Sequence, residues 1–270
     1  GDAVDENSLA IESDLPSGKN LADNQAIVVA QPATHFISTW QTTTPSETIT
    51  LPTPAAFTYN YFIDWGDGSD IETTTDENAS HVYATAGTHT ITVSGTMEAW
   101  SFNNGGDKDK ILTIPNLGDV GWTNFENAFF GSSNLTSVAG GNTSAVTTME
   151  NMFSSAVMAT PDVSSWDVAL VTTMKGMFEN ANAATPDVSS WTTTSLVNTG
   201  DMFRGPGVIS NPNISSWDLS GVGFMGGMFR YNNVANPSFS GLDLSTVYNM
   251  TAMFESAELS SANYSQLLID

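Results

Sequence analysis

The sequence contains no cysteine. No disulfide can brace the fold, and no thiolate can act as nucleophile or metal ligand. A small disulfide scaffold is excluded, but secretion is not, because a chain of this length can bury a core without staples. Basic residues are nearly as scarce. Lys19, Lys108, Lys110, Lys175, Arg204 and Arg230 are the whole set against 29 acids, for a net charge of −23. Nucleic acid needs a basic patch to counter its phosphates, so it is excluded as a partner on this reading. An anionic membrane surface is disfavoured for the same reason. No apolar run approaches the ~20 residues of a spanning helix, so membrane insertion is not expected. No basic-then-apolar leader follows Gly1, which reads as a processed or excised piece of a longer chain. Such acidity suits a protein kept dispersed by self-repulsion, with divalent cations available to offset part of the charge.

Composition shifts divide the 270 residues. Residues 1–30 are acidic and polar, with Pro16, Gly18, Asn20 and Asn24, and read as a linker or lead-in in which 26–30 could add an edge strand. Residues 31–97 alternate as β-strands do: Phe57, Tyr59, Tyr61 and Ile63 share one face, and His89, Ile91 and Val93 share another. The run Asp64-Trp-Gly-Asp-Gly-Ser between strands is a tight turn. Short strands with glycine-rich turns predict a small β-sandwich or half-sandwich. Residues 98–114 are a connector, with a strand expected over 110–114.

From residue 115 onward the chain repeats. Met149-Glu-Asn-Met-Phe153 recurs as Met174-Lys-Gly-Met-Phe178, Thr199-Gly-Asp-Met-Phe203, Met225-Gly-Gly-Met-Phe229 and Met250-Thr-Ala-Met-Phe254. A degenerate copy, Phe125-Glu-Asn-Ala-Phe129, precedes them. Trp166, Trp191, Trp217 and Leu242 stand twelve residues before the later phenylalanines, and Pro161, Pro186, Pro212 and Pro237 stand five before those. The alternation after each proline predicts a short strand, and apolar residues at i, i+3 and i+4 predict one face of a short α- or 3₁₀-helix. The expected fold class is therefore α+β: a leucine-rich-repeat-like solenoid of about five to six strand-plus-helix coils, preceded by a small β-sandwich-like cap. Stacking should place Trp, Met and Phe in buried columns that hold the coils together.

The motif Pro-Asp-Val-Ser-Ser-Trp-Asp-Val-x-x-Val-x-x-Met-x-x-Met-Phe resembles the BspA-like bacterial leucine-rich repeats. The segment Phe36-Ile-Ser-Thr-Trp40, with Tyr61-Phe-Ile-Asp-Trp-Gly-Asp-Gly and His81-Val-Tyr through Gly95, is similar to the PKD-like β segment that often precedes them. The resemblance spans about residues 34–265. It implies an extracellular or cell-surface protein, and includes adhesins that hold ligands on host or neighbouring cells. Thr199 departs from the methionine ladder, Leu242 departs from the tryptophan ladder, and the unit at 135–153 lacks the tryptophan.

No catalytic constellation stands out, and no enzyme activity is expected. His35, His81 and His89 lack metal-ligand spacing. No nucleophile elbow, Ser-x-x-Lys motif or phosphate loop is present. Asp64, Asp67 and Asp70 crowd one turn, so calcium is the one candidate cofactor, although the spacing is not that of an EF-hand. If Trp166 and its equivalents point inward, Asp167, Thr192, Asp218 and Asp243 point outward as a strip along the concave side. Tyr231 and Tyr248 join them as candidate ligand contacts, and Trp100, Phe102, Trp122 and Phe224 are further aromatics outside the ladders. The expectation is a monomeric module within a longer chain, binding a peptide, protein or glycan and mediating attachment. The alternative is a structural spacer without a ligand. An ice-binding surface is a third reading and ranks low, because the threonines do not recur in the last coils; an enzyme ranks last.

Overall fold

The structure is a computed structural model that describes residues 34–206, 211–257 and 259–267. The lead-in expected over 1–30 lies outside the described residues. Among the described residues there are eight strands and one helix: β1 (Phe36–Thr42), β2 (Glu47–Thr50), β3 (Tyr59–Asp64), β4 (Glu72–Thr74), β5 (Ser80–Tyr83), β6 (Gly87–Met97), β7 (Ile111–Asn116), β8 (Ser137–Val138) and α1 (Ser261–Leu267).

A six-stranded sheet runs β4-β3-β6-β1-β7-β8, and β2 and β5 form a second, two-stranded sheet. Alternation sets the buried face, because successive side chains in a strand point to opposite sides. Phe36, Ser38, Trp40 and Thr42 of β1 are buried, as are Tyr59, Tyr61 and Ile63 of β3. On β6, His89, Ile91 and Val93 face the same core. Gly66, at φ 76°, closes the turn after β3; a Cβ there would stand 2.1 Å from the Thr90 carbonyl oxygen, so only glycine fits. Pairing within β1, β3 and β6 is antiparallel, whereas β7 pairs β8 in parallel. That parallel pair carries the sheet into the repeats, and one hydrophobic core runs from Phe36 to Met253.

The repeats correct the expected α+β, leucine-rich-repeat-like architecture. Among the described residues the only helix is α1, outside the Met-x-x-Met-Phe runs. The runs are consecutive turns. Met152 N–H donates to the Met149 carbonyl and Ala156 N–H to the Phe153 carbonyl. A left-handed residue interrupts each run at the second x: Asn127, Asn151, Gly176, Asp201, Gly227 and Ala252 have φ of 52–67°. A second recurs four residues later, at Gly131, Ser155, Asn180, Gly205, Tyr231 and Ser256. A right-handed helix cannot pass through such residues. The i, i+3, i+4 burial pattern is real, but a turn with a left-handed third residue produces it as well as a helix does.

The left-handed residues also redirect the backbone donors. Met149, Asn151, Phe153 and Ser155 send their N–H groups to the carbonyls of Thr173, Lys175, Met177 and Glu179 in the next coil. The same four-bond ladder joins each later pair of coils. Between ladders, Thr148, Thr173, Asn198, Phe224 and Asn249 form single parallel bridges in sequence. The stretch expected to be a strand is also turned, with Trp166 N–H on the Val163 carbonyl.

Inside, the rings of Phe129, Phe153, Phe178, Phe203, Phe229 and Phe254 stack at 5.4–5.8 Å between centroids and within 14° of parallel. Trp191 and Trp217 stack at 6.0 Å, and each indole N–H reaches back to a carbonyl of the preceding coil, of Val163 and Val188 respectively. The indole nitrogen of Trp166 is buried without a partner. The preceding coil lacks the Pro-x-Val-Ser-Ser unit that supplies that carbonyl. Thr199 is fully buried in the methionine ladder, with its hydroxyl 3.5 Å from the Phe224 carbonyl oxygen.

Candidate ligand-binding face

The aspartates of the expected strip shape turns. Asp218 Oδ1 accepts from the N–H and hydroxyl of Ser220, Asp243 Oδ1 from Ser245 N–H, and Asp167 Oδ1 from Ala169 N–H. A second row does the same: Asp162 accepts from Ser164, Asp187 from Ser189 and Asn213 from Ser215. Such side-chain-to-backbone bonds compete with regular secondary structure and favour turns. The serine hydroxyl, then its N–H, holds the carboxyls of Asp162, Asp187, Asp218 and Asp243 below their ordinary range. Thr192 is exposed in the column of Asp167 and Asp218.

The other expected residues fall on different parts of the surface. Tyr231 sits half-buried beneath Arg230, whose guanidinium lies 4.8 Å from the ring centre and contacts Glu255 at 2.9 Å. Tyr248 follows Asp243 by five residues and a turn, and is 81% exposed. Of the remaining candidate aromatics, Trp100, Phe102 and Trp122 are core residues and Phe224 is half-buried at the surface.

Phe224 and Tyr248 are aromatics at positions that do not repeat, brought near one another because Phe224 bridges Asn249, the residue after Tyr248. The Phe224 ring lies over Gly200 and Gly226; a Cβ on either would stand 2.5 or 3.0 Å from it. The equivalent positions elsewhere carry Glu126, Glu150, Lys175 and Thr251. Likewise, the Tyr248 ring lies over Gly223, where a Cβ would stand 2.5 Å away. Earlier coils carry Thr147, Thr172 and Val197 there. Asn198 and Asn249 flank Phe224. Each spends its carbonyl oxygen on a backbone N–H, of Gly200 and Thr251, which leaves the carboxamide NH₂ as the group's donor. Sequence reasoning named Tyr248 and Phe224 but missed the glycines and asparagines. The signal was two coils losing their charged residue together, next to an added aromatic.

Charge on this surface is one-sided. Among the described residues every lysine and arginine is ion-paired: Lys108 with Asp109, Lys110 with Asp107 and Glu47, Lys175 with Glu150, Arg204 with Glu179 and Asp201, and Arg230 with Glu255. Three of these pairings, each 25 residues apart in sequence, tie neighbouring coils together.

In the calcium candidate, Asp64 Oδ1 accepts from Gly66 N–H and Asp67 Oδ1 from Ser69 N–H. Asp67 Oδ2 meets His81 Nε2 at 2.8 Å, and the His81 ring stacks on Trp65. Burial opposes ionisation of Asp67, but hydrogen bonds from Ser69 and His81 outweigh it and hold the carboxyl far below its ordinary range. Asp70 is exposed. No three acidic or histidine side chains among the described residues converge as a metal site. Nor is any described helix long and apolar enough to cross a membrane.

No curated protein matches the chain. No solved structure matches it either. One family model does, over residues 123–209 and 209–267. That span begins at the first turn-built coil, ends in α1 and covers more than half of the chain. The chain belongs to the family described as "Mycoplasma protein of unknown function, DUF285".

Proposed function

We propose that the protein is a ligand-binding module, without catalytic activity, of an extracellular bacterial surface protein that mediates attachment, and that its Phe224–Tyr248 face holds a neutral glycan. One observation carries the reading: a half-buried and an exposed aromatic ring, Phe224 and Tyr248, lie on glycine floors where no other coil presents an aromatic. Sugar rings offer C–H faces to stack on such rings and hydroxyls to meet the Asn198 and Asn249 amides. An anionic ligand would face a strongly acidic surface whose described cations are already paired. The resemblance to BspA-like surface repeats supports the extracellular setting. Asp167, Asp218 and Asp243 are exposed and use Oδ1 within their turns, and calcium would bridge their carboxylates to a glycan.

A glycan and peptide array probed with the intact protein, with and without calcium, tests the reading. Wild type should bind neutral glycans, and the Phe224→Ala/Tyr248→Ala variant should lose at least about tenfold in affinity, ~1.4 kcal/mol, with an unchanged circular dichroism spectrum. Binding to peptides alone would move the ligand class. Silence on every spot would favour the spacer.

A further inference from the structure

One surface column runs from coil to coil without a break. Asn124, Thr148, Thr173, Asn198, Phe224 and Asn249 are linked by single parallel bridges, one residue to a coil, and all are half-buried. Apart from Phe224, each uses its side-chain oxygen in the same way. Asn124, Thr148, Thr173, Asn198 and Asn249 accept the N–H of the residue two further on. What each side chain has left to give is hydrogen, from an amide NH₂ or a hydroxyl. No bond among the described residues uses those hydrogens.

The column one residue earlier has the opposite character. Thr123, Thr147 and Thr172 donate their hydroxyl hydrogens to carbonyls of the preceding coil, those of Glu98, Thr123 and Thr147. Their oxygens keep lone pairs with which to accept. Thr147 and Thr172 are exposed. Their coils therefore set a donor beside an acceptor. The earlier column continues as Val197, which is 51% exposed, then Gly223, then Tyr248. There the polar pairs give way to an apolar side chain and the two aromatic rings. Two residues past Thr148 and Thr173 stand Glu150 and Lys175, paired with each other at 3.1 Å, so this stretch adds no net charge.

A sugar hydroxyl donates one hydrogen bond and accepts another, so a donor beside an acceptor satisfies it where a lone donor does not. The repeat sets the spacing. Stacked phenylalanines of successive coils lie 5.4–5.8 Å apart, close to the advance of one ring in a flat chain of equatorially linked pyranoses. Resting on the neutral-glycan reading, we infer that the ligand is an unbranched, extended β-1,4-linked glycan lying along the stack axis, one sugar to a coil. It runs from Tyr248 and Phe224 across Val197 and Asn198 to the Thr172, Thr173 pair and then the Thr147, Thr148 pair. A coiled or branched glycan does not keep this register.

Titration of the intact protein with β-1,4-linked glucose oligomers of two to six sugars tests this. Affinity should rise at least about threefold with each added sugar, the gain of one net hydrogen bond. The rise should level off at about five sugars, one for each coil from Tyr248 back to Thr147. The α-1,4-linked hexamer, which curls, should bind at least about tenfold more weakly than the β-1,4-linked hexamer. Thr147→Val/Thr172→Val should remove the gain from the fourth and fifth sugars and leave the affinity of the trimer unchanged. Affinity independent of length, equal binding of the two hexamers, or no binding of any β-1,4-linked oligomer would overturn the inference. Each of these results leaves the neutral-glycan reading standing if the array returns another neutral glycan, whereas a silent array removes both. If the threonine variant loses its fold, the wild-type length series and the two hexamers still decide the matter.

Discussion

Ser155 holds a φ of 58° where the preceding coil places Gly131 and the coil two further on places Gly205. A left-handed L-residue costs about 1–2 kcal/mol, while glycine adds about 0.4–1 kcal/mol of unfolded-state entropy. Ser155→Gly should therefore stabilise the fold by about 0.5–1 kcal/mol, seen as a higher urea midpoint at unchanged slope. Asn151→Ala should lower the midpoint. The same residues explain what was legible in the sequence. The second x of the repeat reads Asn127, Asn151, Gly176, Asp201 and Gly227, the types that accept left-handed backbone. The spacing of buried residues suggested a helix, and the residue types between them pointed to turns. Their conformation was written in the polar letters, while the helical reading weighed only the apolar ones.

At the scale of the coil edge, the rows of aspartates make the fold sensitive to acid. Asp162, Asp187, Asp218 and Asp243 have depressed carboxyl pKa values because serine hydroxyls and N–H groups stabilise the charged form. A depressed folded-state pKa adds stability that is present above the unfolded value near 4 and is lost as pH falls through the folded value. Melting temperature should thus drop below about pH 4. Changing all four to asparagine should flatten that limb while keeping the fold, because Asn213 and Asn142 already make the same turns with Ser215 and Ser144. A limb that stays equally steep would place the acid sensitivity elsewhere. Outward placement of Asp218 and Asp243 was expected from the sequence and that of Asp162 and Asp187 was not; engagement by serine two residues on was not read for any of them, since alternation says where a side chain points and not what it grips. The aromatic face was harder still. It depends on Gly200, Gly223 and Gly226, residues whose role lies in what they leave uncovered.

Across the whole molecule, the β segment and the coils share one core, joined where β7 pairs with β8 and where Trp122 packs on Phe36 and Phe125. A cavity made deep in the coils should therefore weaken the distant strands. Phe178→Ala, which removes a ring stacked on both sides, should cost about 3–5 kcal/mol. Amide exchange in β6 should accelerate together with exchange in the ladders. Unchanged β6 protection would mean that the two parts open separately. The strands of the β segment were legible because period-two alternation has few competing readings. The continuity of the core was not, since a single parallel pair between residues more than twenty apart leaves no local trace.

The left-handed positions and the four-bond ladder also constrain how this molecule can change in length. Phenylalanines recur at intervals of 24, 25, 25, 26 and 25 residues, and the one extra residue lies between Phe203 and Pro212, outside the Met-x-x-Met-Phe run. A single insertion within that run would swap donors for acceptors at every later rung and would turn the phenylalanine out of its column. Duplicating a whole unit would disturb neither. Lengthening is therefore admissible only in whole coils: the stack can grow as a tally grows, one notch at a time.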